Sequence, residues 1–145
     1  MPDSSNPRDG ADAGWREQRA RAVAHHGAEL ERRREAEAAE ASTLIAGFLA
    51  AAREAGLAPE PLRARSYAGR SYRTSLRGWY LNPERTVAVS AAGEYYSLLV
   101  APSARAWLTG ADLQPQPPRL VVGEGGRDGE SMPLATLLDR LLTSG

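Results

Sequence analysis

Large apolar residues gather in four clusters along the chain, Leu44–Leu49, Leu76–Val100, Leu120–Val122 and Leu134–Leu142, and these are the candidate core. Between Ser42 and Ala55, residues Leu44, Ile45, Phe48, Leu49 and Ala52 recur at helical spacing and form one apolar face. That pattern predicts an amphipathic helix lying across a sheet. Gly56 suits the left-handed position after such a helix, and Pro59 and Pro61 bar its continuation.

The period then shortens. Thr74–Leu81, Thr86–Ser90 and Tyr95–Ala101 read as three strands, in which Val87 and Val89 alternate with Thr86, Ala88 and Ser90, and Tyr96, Leu98 and Val100 with Tyr95, Ser97 and Leu99. Asn82–Arg85 and Ala91–Glu94 carry turn-forming residues, so the strands are expected to pair antiparallel as a meander. Beyond Pro102, Ser103–Leu108 predicts a short helix carrying Trp107 inward. The prolines of Leu113–Pro118 exclude it from the centre of a sheet. Arg119–Val122 reads as a fourth strand and Gly123–Ser131 as a glycine-rich loop. Ser131 is then the expected cap of a final helix whose apolar face is Leu134, Leu137, Leu138, Leu141 and Leu142.

Ahead of this lie two segments of different character. Residues 1–14 mix Pro, Asp, Ser, Asn and Gly and are expected to be a disordered tail. Residues 15–41 are rich in Ala, Arg and Glu and predict a charged helical extension. Its large apolar residues are sparse, with Val23, Leu30 and Leu44 on a heptad interrupted by Glu37, and Gly27 is expected to break or fray it. Residues 42–145 are then an α+β domain: a small antiparallel sheet of three to four strands with two amphipathic helices on one face.

Composition narrows the chemistry. The formal charge is zero, so no global field draws the molecule to nucleic acid or an anionic membrane. All 18 basic residues are Arg, which fits a G+C-rich coding sequence as readily as selection for phosphate recognition. The absence of cysteine excludes disulfides and thiolate zinc sites and fits a reducing compartment. The polar, acidic start is not a signal peptide, and the apolar run Leu44–Ala52 is short of the roughly 20 residues that span a bilayer. A cytoplasmic protein without membrane contact is expected.

The segments RTSLRGWYLNPERTVAVSAAGEYYSLLV, VVGEGGRDGESMPLATLLDRLL and LIAGFLAAAREAGL together resemble a family of small proteins from bacteria with G+C-rich genomes. The resemblance covers roughly residues 40–142. That family carries no assigned activity, so the resemblance implies a domain and transfers no site residue.

Three groups of residues invite a functional reading. Arg63, Arg65, Arg70, Arg73 and Arg77 are interleaved with Tyr67, Tyr72, Trp79 and Tyr80, with no acid between Pro61 and Tyr80. Guanidiniums that track phosphates beside aromatic faces that stack bases are what single-stranded nucleic-acid binding requires, and Trp79 continues the row of Arg73 and Arg77. The bland alternative makes the aromatics core and the arginines a solvated face. In the glycine-rich loop, Gly125, Gly126, Arg127 and Ser131 could cradle an anion ahead of the last helix. The loop matches neither phosphate-binding fingerprint, however, and Glu124, Asp128 and Glu130 oppose an anion. Those acids could instead hold a hard cation as oxygen ligands on a flexible loop, which makes an anion or metal site at 123–131 a further alternative, although they lack the spacing of a calcium loop. His25 and His26 are adjacent on a helix and cannot chelate one ion together.

With no other histidine, no cysteine and no nucleophile elbow, an enzyme of familiar type is not expected, nor is a cofactor or a metal. The expectation is a non-enzymatic module that binds a macromolecule, with another protein the first candidate partner and single-stranded RNA the second.

Overall fold

The structure is a computed structural model that describes residues 7–123 and 131–144, with side-chain environments from residue 11. The chain divides into two compact units, Met1–Ala36 and Glu37–Gly145.

One helix, α1 (Pro7–Ala55), contributes to both units. Within the first unit it runs without interruption through Gly14 and Gly27, which corrects both the break expected at Gly27 and the disorder expected of residues 7–14. An interior glycine costs about 1 kcal/mol against alanine, which the many Ala, Arg and Glu residues around it absorb. Pro7 occupies the first turn, where its missing N–H is not needed. Glu17 with Arg21, and Glu29 with Arg32 and Arg33, form exposed pairs one turn apart. Among the described residues, no helix is long and apolar enough to cross a membrane.

In the second unit, Ala41, Ile45, Phe48 and Ala52 turn the last part of α1 toward a sheet, with Leu44 and Leu49 half-buried at their sides. The helix ends as its sequence predicts. Gly56 takes φ +70°, its N–H reaches the Arg53 carbonyl at 3.3 Å, and the Leu57 N–H reaches that of Ala52 at 2.9 Å.

The strands that follow are β1 (Glu60–Ser66), β2 (Ser71–Tyr80), β3 (Val87–Ser90), β4 (Tyr95–Ser97) and β5 (Leu99–Val100), in the order β4-β3-β2-β1-β5. The sheet is mixed rather than purely antiparallel, because β5 runs parallel to β1. β1 is an addition to the expected meander. Its prolines read as breakers, yet Leu62, Ala64 and Ser66 alternate inward with Arg63 and Arg65 outward, and Pro61 sits near its start.

The order of strands has a geometric consequence. β4 and β5 lie at opposite ends of the five-stranded sheet but only Leu98 separates them in sequence. A flat sheet would hold those ends about 19 Å apart, whereas residues 97 and 99 can be no more than about 7 Å apart. The sheet therefore curls closed, and Leu98 makes the join: its N–H donates to the Thr86 carbonyl at 2.7 Å and its carbonyl accepts the Arg65 N–H at 2.8 Å. The inside of this small barrel holds Leu62, Ala88, Tyr96 and Leu98, with Leu76, Tyr80 and Leu113 half-buried against them.

Two local features accommodate the curl. The pairing of β1 with β2 slips by two residues between Pro61↔Arg77 and Arg63↔Arg73, a bulge that leaves ladder groups to be satisfied otherwise. Thr74 Oγ1 donates to the Leu62 carbonyl at 2.6 Å, and the Tyr80 hydroxyl accepts the Arg63 N–H at 2.9 Å. At Gly78, a Cβ would stand 2.0 Å from the Val89 carbonyl oxygen, so no larger residue fits there without moving β3.

The outer face carries the second core. Trp79, Leu81, Val89 and Tyr95 meet the end of α1 and the last helix, α3 (Leu134–Ser144), through Leu134, Leu137 and Leu138. Phe48 meets Trp79 edge-on at 5.2 Å between ring centroids. Two helices on one face of the sheet is the arrangement expected.

The connections differ from expectation in three respects. Val121–Val122 (β6) pairs with Met132–Pro133 (β7) as a separate two-stranded ladder instead of joining the main sheet. Ser131 is not the cap of α3, which begins three residues later with the Leu134 N–H bonded to the Leu120 carbonyl at 2.7 Å. The short helix α2 (Ala104–Thr109), capped by Ser103, buries none of its residues, and Trp107 points outward. Glu37 holds the 119–122 segment to α1 by accepting the Leu120 N–H at 3.0 Å.

Candidate nucleic-acid interface

Residues paired across antiparallel strands share a face, so the register of β1 and β2 sorts their side chains. Ala64 lies opposite Tyr72, and both are buried. Arg63 lies opposite Arg73, Arg65 opposite Ser71, and Arg77 opposite Pro61, all on the outer face. Because the bulge shifts the register by an even number, the outward row continues from Arg73 through Arg77 to Trp79. The row of Arg73, Arg77 and Trp79 read from the sequence is thus real, but its members part company. Trp79 lies under Phe48 and is only 8% exposed, whereas Arg63, Arg73 and Arg77 are exposed and Arg65 half-exposed. Trp79 is a core residue and offers no face to a base.

The arginines that remain bare are poorly compensated. Arg63 Nε donates to Ser71 Oγ at 2.6 Å, Arg65 Nη1 to the Glu84 carbonyl at 3.0 Å, and Arg77 Nη2 to the Pro59 carbonyl at 3.4 Å. These acceptors are neutral. Among the described residues none of Arg63, Arg65, Arg70, Arg73 and Arg77 pairs with a carboxylate. Arg63 and Arg73 face each other directly, and like charges opposed on a sheet are destabilising.

Arg70 stands apart from the row, in the turn between β1 and β2, with its guanidinium 4.9 Å from the centre of the Trp107 ring. Tyr67 projects from the same turn, 81% exposed. The turn is anchored to α2 through Tyr72, whose buried hydroxyl accepts the Ser103 N–H at 3.2 Å. Sequence reading missed Trp107 as a surface group. A six-residue helix between Pro102 and Gly110 has no second turn on which to build an inward stripe, and that was the available signal.

Clefts flank α2. One, of about 850 Å³, lies between α2 and β2 and is lined in part by Arg73, Ser75, Arg105, Thr109 and Asp112. The other, about 430 Å³, lies between the turn and the start of α2, against Ser66, Ala68, Arg70, Tyr72 and Pro102.

The remaining candidates come to less. Gly125, Gly126 and Arg127, with Glu124, Asp128 and Glu130, lie outside the described residues, and Ser131 is exposed. His25 and His26 are exposed on α1. Among the described residues no three acidic, histidine or cysteine side chains converge as a metal site would need.

Two tyrosines have perturbed acidities, and both belong to the packing of the barrel. Tyr96 donates to Glu94 Oε2 at 2.5 Å, and this bond, aided by burial, pushes its pKa up to about 12. Burial raises that of Tyr95.

No family model, curated protein or solved structure matches the chain.

Proposed function

We propose that the protein is a non-enzymatic binding module whose working surface is the bare outer face of β1 and β2, and whose partner is a nucleic-acid strand, RNA in the first instance. One observation carries this reading: Arg63, Arg65, Arg73 and Arg77 share one face, two of them directly opposed, and among the described residues none of the four is ion-paired to a carboxylate. Such a row costs the fold stability, and a polyanion laid along it removes the cost. The zero net charge of the whole chain leaves the attraction local to this face.

The test is a titration of a short labelled single-stranded RNA at two salt concentrations. If four arginines each neutralise a phosphate, affinity falls roughly 50-fold between 50 and 200 mM salt. Arg63→Gln with Arg73→Gln flattens that dependence. Absence of binding at the lower salt overturns the proposal.

A second reading attaches to the first unit and to a protein partner. Trp15, Val23 and Leu30 are exposed along α1, with Arg19 stacked 4.2 Å from the Trp15 ring centre. Capture of a protein from lysate by the wild-type chain, and its loss in Trp15→Ser with Val23→Ser, supports this reading; equal capture by both chains removes it.

A further inference from the structure

Resting on the nucleic-acid reading above, we infer that Trp107 is a base-stacking platform, and that the preferred ligand is therefore single-stranded. Trp107 is 57% exposed on a helix that buries nothing, and the Arg70 guanidinium covers one face of its ring. A cation over one face holds the indole in place and leaves a π-surface for a second flat group. The platform is continuous with the arginine row. Arg63 bonds Ser71, Ser71 is the neighbour of Arg70, and Arg70 meets Trp107.

The position of the platform is itself fixed. Ser103 caps α2 by accepting the Ala106 N–H at 3.1 Å, and its own N–H is held by the Tyr72 hydroxyl, a group on the floor of β2. Trp107 is thus tied to the same strand that presents Arg73. Tyr67, on the turn that bears Arg70, supplies another exposed ring, and the cleft of about 430 Å³ opens beside Arg70.

Stacking distinguishes strand types in a way that charge does not. An unpaired base can leave its neighbours and lie on an indole, whereas a duplex keeps its faces stacked inside. Arginines alone bind both forms; arginines with an open indole favour the single strand.

The experiment compares the full-length wild type with Trp107→Ala, Trp107→Phe and the double variant Arg63→Gln, Arg73→Gln. Fluorescence anisotropy is read with a short oligouridylate and with an RNA duplex of equal length. Trp107→Ala is expected to weaken single-strand binding about tenfold, to leave duplex binding unchanged, and to be largely restored by Trp107→Phe. If Trp107→Ala binds the single strand as tightly as wild type while the arginine double variant does not, the stacking platform is overturned and the arginine face stands. If wild type binds neither RNA at about 50 mM salt, both fall.

Discussion

The outer face of the barrel has two halves that differ in what covers them. Over one half, Trp79, Leu81, Val89 and Tyr95 lie beneath Phe48 of α1 and Leu134, Leu137 and Leu138 of α3. Over the other, Arg63, Arg65, Arg73 and Arg77 form no ion pair with a carboxylate among the described residues, and α2 stands beside Arg73 across a cleft. The boundary runs along β2 itself, since Arg77 and Trp79 stand side by side in one outward row. The same strand thus carries core at one end and open charge at the other. The apolar contacts of the outer face lie in the first half; the second half sets like charges opposite each other, which lowers stability slightly, and is the surface the proposed binding uses.

Substitutions can break this contrast, and the largest effect belongs to the covered half. Trp79→Ala should cost about 3–5 kcal/mol, measured by urea unfolding. Trp79→Phe should cost much less, because the buried Nε1 has no hydrogen-bond partner to lose. Gly78→Ala drives a methyl against the Val89 carbonyl and should cost about 1–3 kcal/mol or prevent folding.

Next comes the barrel interior, where the effect depends on pH. The Tyr96 proton is held more tightly in the folded protein, with its pKa pushed up to about 12, than in the unfolded chain, where phenols titrate near 10. The unfolded state therefore releases its proton first as pH rises. The contribution of Tyr96 is complete below pH about 10 and is lost as pH climbs toward about 12. Tyr96→Phe should lie below wild type in stability at pH 8 and converge on it at strongly alkaline pH.

The smallest effect on stability is expected on the bare half. Arg63→Gln removes one of two opposed like charges and should leave stability unchanged or raise it by about 0.2–1 kcal/mol. A clear loss of stability there would mean that the arginines serve the fold, and the contrast between the halves would fail.

How much of this was legible in the sequence depended on the range of the interactions involved. The end of α1 was readable because Ile45, Phe48, Ala52 and Gly56 report on local geometry. So were β3 and β4, with their turns. The strand β1 was not, since Pro61 argues against a strand until a partner is known, and the parallel pairing with β5 depends on a turn of the chain at Leu98 that no local signal marks. Burial of Trp79 depended on Phe48, 31 positions away, so its place in an arginine row pointed outward correctly and toward solvent wrongly. Conversely Trp107 is apolar, and only the shortness of a helix bounded by Pro102 and Gly110 signalled its exposure. The arginine cluster was visible as composition, but only the register showed that Arg63 and Arg73 oppose each other.

That opposition is the centre of the account, and one measurement addresses it directly: RNA affinity and unfolding free energy determined together for wild type and for Arg63→Gln, Arg73→Gln. The account predicts weaker binding, a shallower salt dependence and stability equal to or above that of wild type. Unchanged binding together with reduced stability would contradict it.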